Sequence, residues 1–155
     1  MYRSILMSAV AGMRSMTPLA VVSDLARRGQ LPADNGAPAI LAHPLVSAGT
    51  ALMAAGELGG DKMPSAPDRI VVPGLAARLV TGAVAGMAFA PREQRVQAAA
   101  IGAAVAIASS YLTFNARIRS MERHDQVTTG LVEDAITLGA AALVGYRPQL
   151  AGIPR

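Results

Sequence analysis

Cysteine is absent, and with it thiol catalysis, disulfide bonding and thiolate metal sites. Tryptophan is absent too, and three Tyr and two Phe are too few for a base-stacking surface. Charge is scarce: 15% of the 155 residues are Asp, Glu, Lys or Arg, against about a quarter in ordinary soluble domains. A 15.8 kDa globule in water has too much surface for so few charges, which argues against a soluble enzyme. The usual soluble signatures are missing as well: there is no G-x-S-x-G, H-E-x-x-H, Walker A or dinucleotide fingerprint. The net charge of +4 comes from 13 Arg and one Lys scattered along the chain, where a nucleic-acid partner would require a cluster.

What is present is apolar chain, 52% of residues, with a mean hydropathy of +0.39. Cut at charges and at Pro/Gly clusters, residues 1–155 read as a single integral membrane domain with five apolar stretches. These are Ser4–Ser23, Pro44–Gly60, Ile70–Ala90, Val96–Phe114 and Val127–Tyr146. Four have the ~20 residues a helix needs to cross hydrocarbon, and the second, with 17, is short. The expected fold is all-α: a polytopic transmembrane helix bundle of four to five spans, with one broken or re-entrant element at Glu57–Gly60. Tyr2, Phe89, Tyr111, Phe114 and Tyr146 fall at stretch ends, the placement of an interfacial belt. Arg3 before Ile5–Gly12 has the outline of a signal peptide, but Arg14 interrupts the run, so a retained first helix is expected. With five spans, Arg3, Lys62, Arg69, Arg117, Arg119 and Arg123 share one side; Arg27, Arg28, Arg92, Arg95, Arg147 and Arg155 share the other. Six against six sets no orientation. Ala9–Met13 (AVAGM) recurs as Ala83–Met87, an echo of the kind that two-repeat transporters carry.

Charges inside such stretches are the informative residues, because each costs ~2.5–3.5 kcal/mol or more at mid-membrane. Arg14, Arg78, Glu133 and Asp134 are placed there. Gly74, Arg78, Gly82, Gly86 and Ala90 repeat every fourth residue, so Arg78 lies in a stripe of small residues suited to close helix contact or self-association. Gly130, Glu133, Asp134, Thr137 and Ala141 form one polar stripe, and Ala11, Arg14, Ser15 and Pro18 share a helix face, with Pro18 freeing a carbonyl beside Arg14 and Ser15. One arginine cannot neutralise both Glu133 and Asp134; unless each has its own partner, one should hold a proton. The bland reading is a buried salt bridge, Arg14 or Arg78 against Glu133 or Asp134. The functional one is a site for an ion or charged substrate.

A second patch runs Gly56-Glu57-Leu58-Gly59-Gly60-Asp61-Lys62-Met63-Pro64-Ser65-Ala66-Pro67-Asp68-Arg69. If the helix continues through Gly60, Glu57 and Asp61 share a face and could hold a hard cation through oxygen. If the two glycines unwind it, carbonyls join as ligands. Lys62 and Arg69 suit a phosphate or headgroup. The plain alternative is a helix end followed by a Pro-stiffened loop. His43 and His124 lack ligand partners at helical spacing. No resident cofactor is implied, beyond a cation at Glu57/Asp61 or at Glu133/Asp134.

The runs G-M-R-S-x-T-P (Gly12–Pro18) and G-E-x-x-x-D-K-x-P-x-x-P-x-R (Gly56–Arg69), with Glu133-Asp134, resemble the bacterial membrane family known as domain of unknown function 4126. The resemblance spans nearly the whole chain. It implies a multi-pass protein of the bacterial inner membrane and supplies no activity. Three classes then compete. A transporter or channel built on Arg14, Ser15, Arg78, Glu133 and Asp134 is favoured over a scaffold subunit whose charges only pair. A membrane enzyme or flippase contacting a phosphorylated lipid through Arg14, Lys62 and Arg69 comes last. The expected partners are the lipid bilayer and a second copy or a larger membrane complex, and no nucleic acid.

Overall fold

The first apolar stretch folds as two helices rather than one. In the computed structural model, which describes residues 1–60, 72–121 and 125–150, α1 (Tyr2–Met13) stops at Arg14 and α2 (Met16–Arg27) begins after Ser15. Arg14 is extended (φ −140°, ψ 118°) and Ser15 is already right-handed helical (φ −68°, ψ −42°). Pro18 therefore does not kink a continuing helix. It sits in the first turn of α2, where a missing N–H costs nothing.

The two helices form a hairpin. Arg3, at the start of α1, donates to the Val144 and Gly145 carbonyls (3.1 and 3.0 Å). Near the end of α2, Asp24 accepts from the Tyr146 hydroxyl at 2.8 Å. A Cβ on Gly145 would lie 3.5 Å from Leu25 and 3.7 Å from Met7, so both arms touch the same part of α6 (Gln126–Leu150). Twelve residues give each arm a length of ~18 Å, so the chain enters the bundle, turns at Arg14–Ser15 and leaves by the same end. The six-against-six partition of basic residues does not survive this, because it placed Arg3 opposite Arg27 and Arg28.

The helix α3 (Pro44–Gly60) has the bounds expected of the second stretch but is helical through Gly60. The break expected at Glu57–Gly60 is absent; the discontinuity belongs to α1–α2. The third and fourth stretches give α4 (Val72–Ala88) and α5 (Arg95–Met121), the latter running past Phe114. Among the described residues there is no strand, only an isolated bridge between Asn35 and Pro91, with short 3-10 turns at Ala39–Ala42 and Arg92–Gln94.

The helices α1, α4 and α5 meet along a glycine seam. Gly82 and Gly86 of α4 pack on Gly102 of α5, and a Cβ on Gly82 would overlap Ala106 and sit 2.8 Å from the Gly102 carbonyl. Gly82 and Gly86 of the small-residue stripe of α4 are thus packed against α5 within the chain. The two AVAGM segments both face α5: Gly12 against Ala106 and Ser109, Gly86 against Ala98 and Gly102. The Ser8 hydroxyl adds a hydrogen bond to the Gly82 carbonyl (2.9 Å), and Ser109 adds one to the Ala9 carbonyl (2.8 Å). Phe89, expected in an interfacial belt, is instead buried under the Arg3 guanidinium, 4.4 Å from the ring centre.

Among the described residues two helical segments are long and apolar enough to cross a membrane, Arg92–Met121 and Val127–Tyr146, and only 22% and 33% of their most apolar windows are buried. The helices α3 and α4 have 17 residues each. Leu45, Leu52, Val72, Val96 and Leu112 are between 71% and 79% exposed.

The seam is testable through matched glycines. Gly82→Ala must push backbone apart and should destabilise by ~1–3 kcal/mol, in the range of core overpacking. Gly49→Ala, in α3 with nothing within 4 Å, should be neutral or gain helix propensity. Melting of the two purified variants side by side checks this.

Candidate functional site: the buried tip of the hairpin

Breaking a helix leaves carbonyls unsatisfied at the end of α1 and N–H groups unsatisfied at the start of α2. No side chain within the hairpin caps α2. The cap comes from α3: Glu57 Oε1 accepts from the Ser15 N–H (3.0 Å) and the Ser15 hydroxyl (2.9 Å), and Oε2 accepts from the Met16 N–H (2.8 Å). A carboxylate here also meets the positive end of the α2 dipole. At the other side of the break, Arg78 of α4 donates through Nε to the Gly12 carbonyl at 3.1 Å, a cation at the negative end of α1.

Arg14 itself is 1% exposed. Its Nη2 makes an ion pair with Asp134 Oδ1 of α6, and its Nη1 donates to the Glu57 main-chain carbonyl at 3.3 Å. Four of the residues singled out in the sequence, Arg14, Ser15, Glu57 and Asp134, thus converge at one point, with Arg78 anchoring the neighbouring turn. Glu133 does not join them. It pairs with Arg117 of α5 (3.4 Å), so each of the two adjacent carboxylates has its own arginine.

Arg117 was read only as a basic loop residue, because its stretch was cut at Phe114. The signal that could have found it is the second acid beside Asp134, which leaves room for a second base, but charge alone does not say which arginine that is. Asp61, Lys62 and Arg69 lie outside the described residues, as does His124. His43 accepts the Leu45 N–H on Nδ1 (3.2 Å) at the start of α3. Glu133 and Asp134 pair with arginines from different parts of the chain, and among the described residues no group of three or more His, Asp or Glu is placed to hold a metal. An open cleft of about 410 Å³ lies between α5 and α6, reaching Met13 beside the tip and lined by Thr113, Arg117, Thr129, Val132, Glu133 and Ile136 among others.

Electrostatics also close the hairpin base. Burial pushes the Asp24 carboxyl up, but hydrogen bonds from Arg28, Tyr146 and Arg27 outweigh it and hold the group below its usual range. Asp125, which immediately precedes α6, is also lowered, by hydrogen bonds from the Thr128 hydroxyl and N–H.

Two measurements follow. Removing one member of the Arg14–Asp134 pair strands the other charge, so Asp134→Asn or Arg14→Ala should cost ~3–5 kcal/mol in unfolding. The Arg14→Asp/Asp134→Arg exchange should recover part of that. Because Asp24 titrates lower folded than unfolded, its stabilising contribution is complete above its unfolded pKa and disappears as pH falls through the folded value. Wild type should therefore lose melting temperature between about pH 4 and the acid limit more steeply than Asp24→Asn.

No curated protein and no solved structure matches the chain. A family model does, over residues 2–153, which takes in the hairpin, the capping helix and both acids of α6. With nearly its whole length matched, the chain belongs to the family described as Domain of unknown function (DUF4126).

Proposed function

We propose that the chain is a multi-pass protein of the bacterial inner membrane in which α3–α6 cross the bilayer and α1–α2 form a re-entrant hairpin. The exposed apolar side chains on α3, α4, α5 and α6 support this, since water would not tolerate so much apolar surface. Helices of 17 residues lie at the lower bound of the ~17–25 that span hydrocarbon. In this setting the hairpin tip lies within the membrane, where charged groups are rare and mark ion or substrate paths.

The function the geometry supports best is passage of a small ion or charged substrate past the Arg14–Glu57–Asp134 cluster. The carrying observation is that a two-residue turn inside an apolar bundle is held by charged side chains from α3, α4 and α6. Those groups are displaceable: a carboxylate that caps a helix end can be exchanged for another anion, and an arginine pair can be opened by a charged guest. A scaffold role is the second reading. It is favoured by the mutual pairing of Arg14 with Asp134 and of Arg117 with Glu133, which makes the charges self-sufficient.

Reconstitution separates the two. Proteoliposomes should pass at least one of H⁺, Na⁺, K⁺ or Cl⁻ well above empty vesicles, and Glu57→Gln should cut that flux by about tenfold or more, ~1.4 kcal/mol in barrier terms. Because the chain lacks cysteine, Ser15→Cys offers a single reactive thiol at the tip, and its modification by a small sulfonated reagent should block the same flux. Absence of flux for every ion, with Ser15→Cys inert, would leave the scaffold reading standing.

A further inference from the structure

The start of α2 is covered by a group that does not belong to it. Glu57 reaches the Ser15 N–H, the Ser15 hydroxyl and the Met16 N–H from α3, and among the described residues its carboxylate makes no ion pair. We propose that these donors form a binding site for a small monovalent anion, chloride, which enters when the Glu57 carboxylate swings away and is expelled when it returns.

Three observations carry it. The first is the sign of the site. The free N–H groups that begin a helix, with the positive end of its dipole, make a seat for an anion. Each partner of the carboxylate is an N–H or O–H donor, so Glu57 already occupies such a seat, and a cation would meet the wrong end of α2. The second is a spare donor. The Thr17 hydroxyl belongs to the same first turn, is 3% exposed, and among the described residues has no hydrogen-bond partner. Side chains on a helix lean toward its N-terminus, so this hydroxyl is aimed at the end that Glu57 covers. A buried hydroxyl left unpaired is costly. An anion seated on the Ser15 and Met16 donors gives it an acceptor that Glu57 does not.

The third is the freedom of the present occupant. Glu57 is half-buried, and a Cβ on Gly56, Gly59 or Gly60 beside it would meet nothing within 4 Å, so the last turn of α3 is thinly packed and its side chain has room to move. Its hold is three hydrogen bonds from uncharged donors. The seat itself is small, since Ser15 and Thr17 are both buried, which favours a monatomic ion over sulfate or phosphate. Passage also requires that the ion leave. A carboxylate returning to its donors drives the chloride off, whereas a neutral side chain does not, and the slower flux expected of Glu57→Gln follows.

The inference rests on the passage reading above and gives it a substrate class, but binding is measured here, so the two can fail separately. The full chain in detergent is melted in sodium gluconate, sodium chloride, choline chloride and sodium sulfate at equal ionic strength, each variant being read against wild type in the same salt. Glu57→Ala vacates the donors, so either chloride salt should raise its melting temperature by several degrees over gluconate, more than in wild type. Sulfate should not. In the Glu57→Ala/Thr17→Val double variant the chloride shift should shrink. Glu57→Gln, which keeps one accepting oxygen, decides the matter if the alanine variant does not fold: its chloride shift should have the same sign and should again shrink with Thr17→Val. Equal melting in chloride and gluconate, a shift that follows sodium, a sulfate shift as large as that of chloride, or a chloride shift untouched by Thr17→Val would each overturn the proposal. Chloride binding without flux in proteoliposomes would keep the site and remove passage; flux of another ion without a chloride shift would do the reverse.

Discussion

A helix interrupted inside an apolar bundle leaves backbone groups that must find partners, and the rest of this structure is arranged around meeting that demand at Arg14–Ser15. The two ends of the break have opposite polarity, and each receives the opposite charge: Glu57 at the start of α2 and Arg78 at the end of α1. The turn also buries a guanidinium, which brings in Asp134. The tip thus gathers its charges from three helices, Glu57 from α3, Arg78 from α4 and Asp134 from α6. Take away the break and none of these groups would have a reason to be inside.

The same demand explains the packing. A hairpin whose arms must fit within the bundle needs close neighbours, and the side chains at its contacts are accordingly small. Gly12 lies directly on α5, while Gly82, Gly86 and Gly102 let α4 and α5 approach until their backbones nearly touch. The hydroxyls of Ser8 and Ser109 spend their hydrogen bonds on carbonyls across these contacts. At the base, Arg3 and Tyr146 tie α1 and α2 to the end of α6, so the hairpin is held at both its tip and its open end.

How much of this was legible depended on whether the cause was local. The bounds of α3 were readable because Pro44 and Gly59-Gly60 punctuate it, and the inward face of Arg78 followed from its four-residue stripe. Charge alone shows that one arginine cannot serve both Glu133 and Asp134, and leaves open whether a second partner or a proton answers the second acid. The site of the break was not read, because its cap is 42 residues away in sequence and no local pattern reports a cap supplied in trans. The glycine pair at the end of α3 looked like the weaker point by propensity, yet α3 stays helical through Gly60. Arg117 was hidden by where its stretch was cut, since α5 continues past the last apolar residues into a charged turn.

The adjacency of Glu133 and Asp134 has a geometric consequence that fixes the number of arginines. Successive residues on a helix point about 100° apart, so two neighbouring acids cannot face the same partner. Asp134 is directed at α1 and is buried there; Glu133 is directed at α5 and borders the cleft. Neither can take the other's arginine without turning α6 about its axis, and such a turn would open both pairs together. Arg14, in the turn between α1 and α2, and Arg117, on α5 and 103 positions further along, therefore act as two stops on the rotation of one helix.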